Sequence, residues 1–209
     1  SHGVLVTPDG PAIEASSESI PRDSTGRPIS HALIGQKIPT FQGDRVDGDP
    51  FHSDELAGQW TLVVAWGVWC HDSRNDLANI AAVADFAAEE QIGFISVHVP
   101  YSADHLDILY RKYGSVDAFF GVNEVAFDTV LDETAELRSA LAIEWTPTYL
   151  LVAPDLTVQG FRTDIGTDGP ETLAAFLSAV QARIDQASPA IAASIKATAS
   201  YPDQSSSPE

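Results

Sequence analysis

The segment Thr61-Leu62-Val63-Val64-Ala65-Trp66 constrains this chain more than any other, because six consecutive apolar or β-branched residues offer no polar face to solvent. A run so short, preceded by the turn pair Gly58-Gln59, reads as an interior strand. Ser73 to Glu90 then reads as a helix, with Leu77, Ile80, Ala81, Ala84 and Ala88 spaced along one apolar face. Between strand and helix lies Cys70, the single cysteine of the 209 residues. The positive end of a helix macrodipole favours a thiolate, so the position predicts a reactive sulfur.

Strands and helices alternate along the rest of the chain. Phe41 to Phe51 holds the turn pair Asp47-Gly48 and predicts two opening strands. Ser53-Asp54-Glu55-Leu56 predicts a helical turn with Ser53 as its N-cap. Gly93 to Val99 and Phe127 to Leu131 read as strands, Ala103 to Tyr113 and Glu136 to Leu141 as helices. Tyr149 to Val152 and Val158 to Arg162, joined through Pro154-Asp155, form an antiparallel hairpin. Thr172 to Ile184 closes the fold with Leu173, Phe176, Leu177 and Val180 on one side. The expectation is an α/β fold, a central mixed β-sheet with helices on both faces.

Three segments are expected. Residues 1–33, rich in Ser, Pro, Gly and acidic side chains, read as an extension that packs weakly or forms a short β-hairpin over Pro8-Asp9-Gly10. Residues 34–187 form the domain, and the Ala-, Ser- and Pro-rich residues 188–209 read as a flexible tail.

Trp66-x-x-Trp69-Cys70-x-x-Ser73-Arg74 resembles the Trp-Cys-x-x-Cys-Arg signature of the thioredoxin superfamily, in its TlpA/ResA-like branch, with serine in the second cysteine position. Glu144-Trp145-Thr146-Pro147-Thr148 resembles the family's Val-Pro-Thr element. Ile34-Gly35-Gln36-Lys37-Ile38-Pro39-Thr40-Phe41 resembles its Gly-x-x-x-Pro-x-Phe opening, and Pro154-Asp155-Leu156-Thr157 its last hairpin turn. The resemblance spans about Ile34 to Ile184 in the family's order. It implies a thioredoxin-like fold in which a cis Thr146-Pro147 bond lies against Cys70, Thr146 pairs with an extended substrate strand, and Trp69 flanks the substrate groove. It also implies an extracytoplasmic location.

Serine at position 73 decides the chemistry. A dithiol site attacks with its first sulfur and resolves with its second; the Ser73 hydroxyl cannot resolve, although it can donate a hydrogen bond to a Cys70 thiolate. His71, when protonated, would stabilise that thiolate, whereas Asp72 opposes it. The expected function is thiol-disulfide exchange through one cysteine, as an isomerase or in deglutathionylation, with protein thiols and disulfides or a small thiol such as glutathione as partners. Two alternatives stay open: a non-catalytic binding module on the same fold, and an engineered cysteine-to-serine form that traps a mixed disulfide. Arg74 is expected as a surface salt-bridge partner. Neither Thr61 to Trp66 nor Val97 to Ser102 supplies the buried acid that such sites often carry.

Other classes fit poorly. A net charge of −19 with 11 scattered basic residues argues against nucleic acid and anionic membrane surfaces. No run of about 18 apolar residues is present to span a bilayer. Cys70, His71, Asp72, His98 and His105 include no Cys-x-x-Cys or His-x-x-x-His pair, so no metal or other cofactor is expected. Cys70 also lacks the Pro-x-x-x-Thr-x-x-Cys setting of peroxiredoxins.

Overall fold

A computed structural model describes residues 20–106 and 112–199. Among these residues one seven-stranded sheet is formed by β1 (Gln42–Arg45), β2 (Pro50–His52), β3 (Thr61–Trp66), β4 (Gly93–His98), β5 (Thr129–Leu131), β6 (Thr148–Val152) and β7 (Val158–Thr163). Its order is β2-β1-β5-β4-β3-β6-β7. β3 runs parallel to β4 and antiparallel to β6, β4 is parallel to β5, and the β1–β2 and β6–β7 pairs are antiparallel. The sheet is therefore mixed, and β3 lies inside it with every residue buried.

The pleat sends alternate residues of β3 to opposite layers. Val63 and Ala65 join one core with Ile95, Val97, Val130, Leu150 and Phe161. Leu62, Val64 and Trp66 join the other with Ile80, Val83, Phe119, Tyr149 and Val180. The second layer is covered by α2 (Leu77–Glu89), α3 (Val116–Asn123) and α5 (Thr172–Ala199). The first is covered by α4 (Glu136–Ala140) through Leu137 and by the segment from Leu33 to Phe41. Helices thus lie on both faces.

Several expectations need correction. The helix after Cys70 is two helices, α1 (His71–Asn75) and α2, separated at Asp76. The buried face of α2 uses Ile80, Val83 and Ala87 in place of Ala84 and Ala88, because the larger Val83 takes the core position. The turn Ser53–Leu56 is a 3-10 helix capped by His52, whose imidazole accepts from Asp54 N–H while Glu55 reaches back to the His52 N–H. Ser53 instead buries its hydroxyl against Phe41 N–H. α3 was not anticipated, and α5 continues past Ile184 to Ala199.

The anticipated hairpin over Pro8-Asp9-Gly10 and residues 107–111 of the helix expected from Ala103 to Tyr113 lie outside the described residues, and residues 103–106 form turns rather than helix. Within the extension, Ile20, Arg27 and the stretch His31-Ala32-Leu33 are buried rather than weakly packed, while residues 21–26 stay largely exposed. Arg27 is 5% exposed and donates to Thr163 Oγ1, the Asp164 carbonyl and Asp168. His31 stacks on Phe161 at 5.5 Å; burial pushes its imidazole down to about 4, so it is neutral in the core.

Candidate functional site

Cys70 is the N-cap of α1, in extended backbone just beyond the end of β3. Its amide donates to Gly67 O at 3.0 Å and its carbonyl accepts Arg74 N–H at 3.1 Å. The loop between is held from several sides. Val68 N–H donates to His98 Nε2 at 3.1 Å, and the Arg74 guanidinium donates to Val68 O at 2.8 Å. The expected surface role of Arg74 gives way to this bond within the loop. His98 is 4% exposed, meets the Trp66 ring edge-on at 5.0 Å, and is pushed by burial down to about 3. It therefore stays a neutral acceptor for the loop.

Trp69 folds back over Gly67, where a Cβ would collide with the indole, and donates its N–H to Val99 O at 2.8 Å. One side of its ring meets the exposed Tyr101 at 5.2 Å. Arg138 of α4 stands over the ring at 5.8 Å and donates to Pro100 O at 2.7 Å. Arg138 is also close enough to Cys70 for their charges to interact. It is placed by Asp132, a buried carboxylate that accepts the Leu137 and Arg138 amides at the start of α4.

The thiol faces the proline loop. Cys70 is half-buried, and its Sγ donates to the Thr146 carbonyl at 3.5 Å; the Thr146-Pro147 peptide is cis. Cys70, Thr146 and Pro147 thus come together from segments 76 residues apart. His71 does not join them: it is exposed, with Nε2 3.1 Å from Asn75 Nδ2. Ser73 lies beneath the loop, fully buried, and its hydroxyl accepts Gly67 N–H at 3.2 Å. No hydrogen bond joins it to Cys70 Sγ, so the anticipated support of the thiolate is replaced by support of the loop.

Two further buried carboxylates, Asp76 and Asp164, stand nearby, although neither segment inspected in the sequence supplied one. Asp76, at the break between α1 and α2, accepts from Tyr149 Oη, Ile165 N–H, Gly166 N–H and Asn79 Nδ2. Asp164, just past β7, accepts among the described residues only the Trp145 indole N–H, through Oδ2 at 3.3 Å. Desolvation, then the facing charge of Asp72, push the Asp164 carboxyl up to about 7. Beside the proline loop a groove of about 710 Å³ is lined by Arg138, Ser139, Ala142, Ile143, Glu144 and Ser102. Among the described residues no cluster of His, Cys, Asp or Glu is suited to a metal ion, and no helix is long and apolar enough to cross a membrane.

Residues 34–161 match the model of the AhpC/TSA family. The chain belongs to that family. Among solved structures, this AhpC/TSA-family chain is similar to a DsbF homologue from Corynebacterium diphtheriae, at 14% identity over 84% of this chain and 96% of that one, with a TM-score of 0.54. It is similar to a thioredoxin-family thiol:disulfide interchange protein from Chlorobium tepidum, at 22% identity over 69% and 93%, with a TM-score of 0.52. A secreted disulfide oxidoreductase of Mycobacterium tuberculosis matches at 16% identity over 68% and 95%, with a TM-score of 0.51. No curated protein sequence matches the chain. The fold is thioredoxin-like, of the kind found in thiol-disulfide oxidoreductases.

Proposed function

We propose that this protein performs thiol-disulfide exchange with Cys70 as its only sulfur. The observation that carries the proposal is the accessible Cys70 Sγ, 3.5 Å from the Thr146 carbonyl, in a chain with no second cysteine. The thiolate attacks one sulfur of a bound disulfide; the old S–S bond breaks, a bond to Sγ forms, and the departing thiolate takes a proton from solvent. A second thiol, from a protein or a small molecule such as glutathione, then attacks the mixed disulfide and regenerates Cys70. Sulfur oxidation state is conserved over the cycle, which suits isomerisation and deglutathionylation.

The surrounding groups have distinct parts in that cycle. Arg138 favours the thiolate by its charge, and Asp72 opposes it. Trp69, with Tyr101 beside it, offers an aromatic flank, and the Thr146 backbone offers an edge to an extended segment carrying the disulfide. His71, exposed beside the thiol, adds positive charge when protonated.

Incubation with a glutathionylated peptide, followed by intact mass measurement, tests the proposal. The expected result is a glutathione adduct on Cys70 that a second thiol removes, and no adduct in Cys70→Ser. Absence of the adduct, with Cys70 alkylating no faster than an unstructured thiol, would overturn exchange and favour a binding module.

A further inference from the structure

This inference rests on Cys70 as the exchange nucleophile and extends that function to a residue outside both sequence motifs. We propose that Asp164 is a positioning residue for the exchange, holding through Trp145 the stretch of backbone on which the thiol and an incoming disulfide meet.

Asp164 is 2% exposed, and its two oxygens differ. Oδ2 accepts the Trp145 indole N–H at 3.3 Å; Oδ1 is buried and has no hydrogen-bond partner among the described residues. Trp145 in turn accepts the Thr148 hydroxyl on its carbonyl at 2.6 Å, and the Thr146 carbonyl between them takes the Cys70 thiol. A continuous path therefore runs from acid to indole, to the proline-loop backbone, to sulfur. A buried acid with an orphaned oxygen costs stability, and here the cost falls beside the reacting group.

The groups around Asp164 explain its protonation. Asp72 on α1 and Asp76 at the helix break present like charge. Tyr149 on β6 gives its hydroxyl to Asp76. Arg27 and Arg162 donate to the Asp164 carbonyl and to Asp168, and the Arg27 charge pulls the Asp164 carboxyl down without cancelling the rise from burial and like charge. The carboxyl, pushed up to about 7, changes charge in the neutral range. Protonated, it is a neutral anchor for the indole. Ionised, it adds a second negative charge facing Asp72, two residues beyond the thiol, and so opposes the thiolate.

Anchor and charge separate by mutation. Asp164→Asn keeps an acceptor for the indole and removes the charge; Trp145→Phe removes the donor and leaves the acid. Each full-length variant is assayed for the rate of Cys70 with a glutathionylated peptide, which needs the loop, and with iodoacetamide, which does not. Trp145→Phe is expected to slow the peptide reaction roughly fivefold, the worth of one hydrogen bond, while iodoacetamide stays within about twofold. The wild-type iodoacetamide profile is expected to carry an inflection near about pH 7, and Asp164→Asn to lose it. If the wild type reacts with the peptide, but Trp145→Phe leaves the ratio of the two rates unchanged or the Asp164→Asn profile superimposes on the wild type, the role of Asp164 is overturned and exchange stands. If the wild type does not react with the peptide, exchange itself fails and the inference falls with it.

Discussion

Asp76 and Asp164 are buried to the same depth, 1% and 2% exposed, at one end of the sheet, yet they are served in opposite ways. Asp76 gathers two backbone amides, a phenol and a side-chain amide. The two amides belong to Ile165 and Gly166, the residues that follow Asp164, so the donors closest to Asp164 in sequence are already taken. Depth alone does not set the cost of a buried carboxylate; the supply of donors does. Asp76 is a structural joint between the α1–α2 break, β6 and the start of the β7–α5 connection. Asp164 is left titratable next to the proline loop.

The largest break in that comparison comes from Asp76→Ala, which strands the Ile165 amide and the Tyr149 hydroxyl in the interior and leaves the part-buried Gly166 amide without its acceptor. Three unsatisfied groups predict a loss of about 3–5 kcal/mol, read from the shift in a urea midpoint at constant slope. A loss below about 1 kcal/mol would show that these bonds do not join the elements.

Next in size is a pH effect at Asp164. In the fold the carboxyl keeps its proton up to about pH 7, whereas an unfolded aspartate loses it near about 3.9. The folded state binds the extra proton in between. Its contribution is complete below the unfolded value and is lost as pH rises through about 7. His31 and His98, lowered to about 4 and about 3, act in the other direction by weakening the fold as pH falls below the ordinary imidazole value. The measurement is therefore a difference: relative to the wild type, Asp164→Asn gains stability as pH rises from about 5 to about 8. Parallel stability curves for the two proteins would contradict this.

The smallest effect sharpens the contrast. A Cβ at Gly166 would lie 2.9 Å from Asp76 Oδ1, so Gly166→Ala must push the carboxylate away from its donors. Overpacking of this kind costs about 1–3 kcal/mol. Hydrogen exchange of the Ile165 amide should quicken in the variant, and unchanged protection would place the slack elsewhere.

Much of the scaffold was legible because it depends on local periodicity. β3, β4 and the β6–β7 hairpin follow from short apolar runs and a Pro-Asp turn, and Cys70 before a helix follows from the strand that precedes it. α3 was missed although its signal was present: Ser115 caps it by accepting Ala118 N–H at 3.0 Å, and Asp117 lies in its first turn. The break at Asp76 was hidden, because the residues before and after it carry one continuous helical pattern. Arg138 and Asp164 were out of reach for another reason. Each reaches the neighbourhood of Cys70 from a distant element through tertiary packing, so no spacing near residue 70 records it. The fate of Ser73 shows the same limit: spacing can set a residue on the helix after the thiol, but it does not reveal that Gly67 N–H claims its hydroxyl.

The free Cys70 thiol sits at the margin of the sheet, and no covalent bridge staples the strands to one another. Dithiothreitol therefore has nothing to cut, and the melting temperature should be the same in oxidising and in strongly reducing buffer. Whatever redox information this molecule carries resides in the cargo attached to one atom, and departs when that cargo is released.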